Sequence, residues 1–312
     1  MNPALFFGEA LTDRFYDEKG ILRKSTPGGA PLNAAVGAAR LQIPTAFAGG
    51  IGGDGEAREI LKVMDLEGIG RRFAVIKKQL PTAAAEVRLN ERREPAFRFL
   101  RSGTADALIE SEDFSSLRPQ DYSCLHCGGV MLASEPGASV QEALAERFYD
   151  AAIPVSFDPN IRPALIGDEE AYTERVLMAM ARPQLVKLSL DDISWLFPGQ
   201  DVNDAFSQLH CLRRGAMTAL TLGAQGSLLA SGQVCHRQWA YSVAAIDTTG
   251  CGDGFTAGLL RGLLTLDGCA WDELTEEQLR WVAEGASAVA ARVCEKEGAL
   301  PAMPYLADVY AL

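Results

Sequence analysis

Beyond Asp121 the hydrophobic residues fall into short solid runs separated by longer stretches with helical spacing. The runs Cys124–Cys127, Val155–Asp158, Leu185–Leu188 and Ala219–Leu222 predict buried strands, and Ser139–Ala151, Glu169–Ala181 and Val202–Arg213 predict the helices between them. Such alternation predicts an α/β fold with a mainly parallel sheet covered by helices on both faces. The first third has the same rhythm: strands at Ala4–Gly8, Thr45–Ala48 and Phe73–Ile76, and helices at Ala34–Leu41 and Glu56–Leu66. One segment departs from it. Ala85–Leu100 alternates apolar and polar residues about a charged turn at Asn90–Pro95, which predicts a β-hairpin. With Ile21–Ser25 it predicts a small sheet with one exposed face, a lid or a dimerisation surface. Near the other end, Asp247–Gly254 opens a helical run, Phe255–Leu266.

Composition narrows the class. The chain has 312 residues, 48% of them hydrophobic, enough for a large core and unlike a disordered chain. Length alone suggests roughly two domains, though one α/β domain over 1–312 with an appendage fits as well. The formal charge of -12, with basic residues scattered, argues against non-specific nucleic-acid binding, so an anionic substrate must find local cations. The N-terminal stretch MNPALFFGEALTDRFY lacks the pattern of a signal peptide, and no apolar run approaches ~18 residues, so no membrane span is expected. Seven scattered cysteines suggest reduced thiols in the cytoplasm. Cys124-Leu-His-Cys127 resembles half of a zinc site, but a second ligand pair is missing and small core thiols are the favoured reading. The three histidines, His126, His210 and His236, form no recognisable triad.

Gly250 and Gly252 allow a tight turn, and the helix that follows offers unpaired N–H groups and its dipole to an anion. Asp253 stands beside that anion hole, where a carboxylate is placed to take a proton from an attacking hydroxyl; the alternative is a glycine turn with Asp253 as N-cap. Pro27–Asn33 is a second glycine-rich entry to a helix: Gly28 and Gly29 allow close approach, and Asn33 can bond hydroxyls. Asp13 reads as a turn carboxylate. Gly50-Ile-Gly-Gly-Asp-Gly55 satisfies G-x-G-x-x-G between a strand and a helix, but Lys77 and Lys78 stand where a ribose-binding acid is expected, leaving an NADP-dependent oxidoreductase as a rival. Arg101 follows the hairpin as a candidate for an acidic or polyhydroxyl substrate. Other polar groups gather at the carboxyl ends of the predicted strands: Asp158, Asn160 and Arg162; Lys187, Ser189 and Asp192; Thr221, Gly223 and Gly226.

These residues carry a family likeness. GGAPLNAAVGAARL (28–41) and DTTGCGDGFTAGLL (247–260) resemble the two signatures of the ribokinase-like (PfkB) carbohydrate kinases. TLGAQGSLL (221–229) is similar to that family's nucleotide loop, while GEALTD and SFDPNIRPALI (156–166) are most similar to the fructokinase branch. The resemblance implies a ribokinase-like three-layer α/β/α fold with a small β-sheet lid from about 10–27 and 82–104. It implies ATP-dependent phosphorylation of a sugar hydroxymethyl group, with Mg²⁺ and a homodimer formed through the lid. Asp253 is then the base, and the amides of Gly250, Cys251 and Gly252 the anion hole. Asp13, Gly28, Gly29 and Asn33 hold sugar hydroxyls, and Arg162 lies on the substrate side. Thr221, Gly223 and Gly226 face the nucleotide, Lys187, Ser189 and Asp192 approach the phosphates, and Asp247 and Thr249 match a loop that often binds K⁺. Cys251 and Gly254 replace the usual alanines, and Ser189-Leu-Asp-Asp192 stands for the family's Asn-x-x-Glu. Other acceptors stay open: 2-keto-3-deoxygluconate, whose carboxylate suits Arg101 and Arg162, or a riboside. So does a non-catalytic sugar sensor.

Overall fold

Strand β1 (Ala4–Phe7) lies inside the large sheet and is wholly buried. Its period of two sends Ala4 and Phe6 into one hydrophobic core and Leu5 and Phe7 into the other, so each face must be covered. The computed structural model describes residues 1–89, 95–213, 216–266 and 268–310. The other strands are β2 (Leu11–Tyr16), β3 (Leu22–Gly28), β4 (Thr45–Ile51), β5 (Gly70–Ile76), β6 (Ala83–Leu89), β7 (Pro95–Leu100), β8 (Cys124–Gly128), β9 (Val155–Asp158), β10 (Leu185–Ser189), β11 (Met217–Thr221), β12 (Ser227–Ser231) and β13 (Val234–Gln238). Nine strands form the large sheet, in the order β13-β12-β11-β10-β9-β8-β1-β4-β5. It is parallel from β5 to β11, and β12 and β13 close one edge antiparallel.

Helices α1 (Ala30–Arg40), α2 (Gly55–Leu66), α7 (Cys251–Thr265) and α8 (Glu276–Cys294) cover one face; α3 (Gly137–Asp150), α4 (Glu169–Met180), α5 (Leu190–Leu196) and α6 (Val202–Leu212) cover the other. The result is the expected three-layer α/β/α arrangement. Helix α1 begins earlier than the periodicity predicts because Pro31 is accommodated in its first turn.

The small sheet has the order β3-β2-β6-β7. Its hairpin is formed by β6 and β7; the expected turn includes 90–94, which lie outside the described residues. Strand β2, which lies within the 10–27 stretch that the resemblance assigns to the lid, pairs with both β3 and β6 and carries Asp13. The β12–β13 hairpin and α8 were absent from the sequence reading.

Two motifs resolve into packing. Gly50 belongs to β4, and a Cβ there would lie 2.1 Å from the Ala105 carbonyl oxygen. At Gly52 a Cβ would meet Thr82 N at 2.4 Å, and at Gly53 the Lys78 carbonyl oxygen at 2.3 Å. These glycines admit neighbouring backbone. Asp54 caps α2 through Ala57 N (2.9 Å) and also holds Thr82, so a carboxylate occupies the helix end that a pyrophosphate requires. The NADP reading fails on this geometry. The half-zinc motif fails too: Cys124 and Cys127 enter opposite cores and cannot share a metal.

Candidate active site

Gly250 caps α7 in the left-handed conformation (φ 81°), and a Cβ there would come within 2.7 Å of Ala299 Cα. Glycine is required on both counts. The Cys251 N–H donates to the Thr248 carbonyl at 3.2 Å, so of the three amides expected in the anion hole, those of Gly250 and Gly252 are the ones left for an anion. Lys187 supplies charge at the same point: its Nζ lies 3.1 Å from where a Cβ on Gly252 would stand.

Asp253 lies in the first turn of α7, and Asn33 Nδ2 donates to its Oδ2 at 2.8 Å. Burial pushes the Asp253 carboxyl up to about 6, against the lowering effects of Asn33 and Lys187. Asp13 is pushed up to about 6 as well, by burial and by the charge of Asp253. The two acids share one electrostatic site although β2 belongs to the small sheet and α7 packs on the large one. Gly28 makes room for this, since a Cβ there would lie 2.4 Å from Asp13 Oδ2. Gly29 (φ 104°) brings the chain against the Glu9 carbonyl and opens α1. Asn33 Oδ1 is buried and without a hydrogen-bond partner among the described residues, as suits an acceptor kept for a substrate hydroxyl.

Lys187 and Asp158 form a buried pair at 2.9 Å. Burial pulls the lysine down, but the carboxylates of Asp158 and Asp192 outweigh it and keep the ammonium charged. Asp158 Oδ1 also accepts from Asn160 N (3.1 Å). Arg162, beyond this turn, is exposed and bonds only the neighbouring Ile161 carbonyl in the described structure, and its charge is felt by Asp158 and Asp253.

Two expectations need correction. Arg101 is buried: its Nε donates to Asp106 (2.7 Å) and its Nη1 to the Val130 carbonyl (3.2 Å), so its guanidinium braces the end of the lid and is not offered to substrate. Ser189 and Asp192 form a capping box at the start of α5. Asp192 Oδ2 accepts from Ser189 N (2.7 Å), and its Oδ1 accepts from Ile161 N (2.7 Å). Its short side chain thus ties β10 to the Asp158–Arg162 turn, a bracing role where phosphate contact was expected. Asp247 is similarly engaged, by Thr249 N (2.9 Å) and Gly298 N (2.8 Å), so a cation bound at this loop must share oxygens that already fasten it.

A cavity of about 540 Å³ opens beside the α7 tip. Thr221, Gly223 and Gly226 line one wall and Ala240–Val243, Ser287, Ala291 and Cys294 another. Its size suits a nucleotide. At Gly226 (φ 89°) a Cβ would meet the Gln238 carbonyl oxygen at 2.0 Å, whereas at Gly223 it would meet open space. Gly226 thus holds the β12–β13 hairpin close, and Gly223 leaves room for a ligand. Sequence reasoning missed the α8 and Ala240–Val243 walls, whose small residues carry no chemical signal. It also missed Glu9, a buried carboxyl pushed up to about 7 by burial, which accepts from Ala30 N at 3.3 Å in the first turn of α1.

An acid beside an anion-binding helix tip, with a buried lysine and a nucleotide-sized cavity in an α/β/α fold, defines a phosphotransferase acting on an alcohol. A family model described as pfkB family carbohydrate kinase matches residues 6–305. A fructokinase of Salmonella typhimurium is 31% identical over 302 residues, 97% of this chain and 96% of its own. A double-mutant fructokinase of Vibrio cholerae, solved in fructose-, ADP- and potassium-bound form, superposes with a TM-score of 0.89 at 27% identity, covering 100% of this chain and 98% of that one. Aminoimidazole riboside kinase of Salmonella enterica, complexed with aminoimidazole riboside and an ATP analog, gives 0.86 at 26% identity over 99% of both chains. The chain belongs to the pfkB family of carbohydrate kinases.

Proposed function

We propose that this chain transfers the terminal phosphoryl group of ATP to the hydroxymethyl group of fructose or a closely related ketose. The observation that carries the reading is the meeting at the α7 tip of Asp253, Asn33, Lys187 and the Gly250 and Gly252 amides, with the cavity on one side and Asp13, Gly28 and Gly29 on the other. Asp253 takes the hydroxyl proton while Asn33 orients its carboxylate. The two amides and Lys187 balance charge on the phosphoryl group in transit, which is most of what this reaction asks of a protein. Mg²⁺, when bound with the nucleotide, neutralises phosphate charge. Among the described residues no cluster of three His, Cys, Asp or Glu forms a metal cage, which suits an ion carried mainly by the phosphates. K⁺ at the Asp247–Thr249 loop belongs to the same reading, supported by the potassium-bound relative.

The names of the two fructokinase relatives, and the fructose bound to the Vibrio cholerae one, support fructose. Of the two arginines considered for a carboxylate, Arg101 is held in an internal ion pair and only Arg162 stays on offer, which weakens the 2-keto-3-deoxygluconate reading. Among the described residues no helix is long and apolar enough to cross a membrane. A cytoplasmic homodimer joined through the small sheet completes the proposal, supported by the half-exposed Leu22 of β3. ATP turnover against a panel of ketoses, ribosides and sugar acids tests it: fructose should give the highest kcat/KM, and a riboside or sugar acid ahead of it would overturn the acceptor assignment.

The acidic limb of kcat/KM should fall as pH drops through about 6, because Asp253 works ionised and its carboxyl is pushed up to that value. Asp13 titrates in the same range, so the limb reports the pair. A pH–rate profile that stays flat well below this range would separate Asp253 from proton transfer.

A further inference from the structure

We propose that Cys251 and Cys294 form an oxidisable dithiol inside the nucleotide cavity, and that their conversion to a disulfide shuts the enzyme off. The inference rests on the nucleotide reading of that cavity. Cys251 is the first residue of α7 and Cys294 the last of α8, and both line the same cavity of about 540 Å³. The helices meet closely: a Cβ at Gly258 would lie 2.6 Å from Ala286 Cα, and one at Gly254 would lie 2.7 Å from Val293 Cγ2. This contact brings the start of α7 against the end of α8, so that both cysteines line the one cavity. The backbone reinforces it, because the Cys294 carbonyl accepts from Ile246 N (2.7 Å) and Asp247 N (3.2 Å), at the head of the loop that leads into Cys251. Both thiols are partly exposed, whereas Cys124 and Cys127 are buried.

The oxidant is a low-molecular-weight disulfide. Cys294 attacks first, since burial pushes the Cys251 thiol up to about 12: its thiolate breaks the S–S bond of the oxidant and releases one thiol, leaving a mixed disulfide. The second cysteine thiolate attacks the protein-side sulfur and releases the other thiol. The pair loses two hydrogens, and the oxidant, reduced, carries them away. A disulfide holds its sulfurs about 2.05 Å apart, well inside van der Waals contact, so its formation displaces the α7 tip and the amides of the anion hole. A shift of about 1 Å in such a site can cost about 10²-fold in rate.

The test uses the full-length reduced protein incubated with glutathione disulfide, followed by peptide mass mapping and ATP turnover. The expected result is a Cys251–Cys294 cross-linked peptide two hydrogens lighter than its parts, with turnover reduced at least about tenfold and restored by dithiothreitol. Prior addition of ATP should slow the cross-link. Cys251→Ala and Cys294→Ser, each compared with its own reduced form, should lose the sensitivity; two variants keep the test open if one folds poorly. A cross-link elsewhere, a stable mixed disulfide, or a cross-link without loss of turnover would overturn the proposal. Direct ATP binding to the reduced protein separates the two readings. Binding without a cross-link sinks the dithiol alone, and a cross-link in protein that binds no ATP sinks the nucleotide assignment and with it the shut-off.

Discussion

Asp253→Asn should lower kcat by about 10²–10⁴-fold, the usual contribution of a positioned base, while affinities for sugar and nucleotide change little. The amide keeps the shape of the carboxylate and an oxygen for the Asn33 Nδ2 donor, so the bond now 2.8 Å long can persist. A second readout moves the other way. The carboxyl is raised from 3.8 to about 6 by burial, so the folded state holds this proton more tightly than the unfolded chain does. Protonation therefore favours folding, and above about pH 6 the ionised group is a burden on the native state. Removing the charge should raise the Tm at neutral pH, and the gain should shrink as pH falls through that range. Steady-state kinetics and thermal melts of the two proteins check both halves. Near wild-type turnover in the variant would take the base role away from Asp253.

Lys187→Met should be costly twice over. It leaves Asp158, now paired at 2.9 Å, as a buried carboxylate without its counter-ion, and breaking such a pair typically costs about 3–5 kcal/mol. It also removes the cation over the Gly252 position, so turnover should fall even in molecules that stay folded. The double variant Lys187→Met/Asp158→Asn distinguishes the two effects. Its denaturation midpoint should recover most of the lost stability, whereas its kcat should stay low. Recovery of both would make the lysine a purely structural partner, and recovery of neither would mean that Asp158 has a role beyond pairing.

The parts of this site that could be read from the sequence are those in which chemistry and backbone geometry share one short segment. Gly250–Asp253 and Gly28–Asn33 each place a required glycine and a functional side chain at a helix entry, and both meet in the Asn33–Asp253 hydrogen bond. Lys187 was reached by a different route, from the tendency of ligands to bind beyond strand ends in parallel sheets. The misreadings concern partners that only folding brings into place. Arg101 looks free in the sequence, yet the turn after β7 folds Asp106 back against it. Ser189 and Asp192 satisfy each other because a carboxylate one carbon shorter than glutamate reaches back to its own helix start. Strand β2 is legible only through the resemblance, which assigns about 10–27 to the lid: Thr12, Asp13 and Arg14 interrupt the apolar alternation, and pairing on both edges supplies what propensity does not.

Asp13 rides on the small sheet, whereas Asp253 is anchored in the large body by the close seating of α7 on α8. On the proposed reading, an acceptor gripped by both acids would span the seam between the two parts and draw them together. A water molecule is too small to hold both sides, so on that reading the architecture that welcomes a polyol would discourage idle hydrolysis of the nucleotide, with no side chain reserved for that duty.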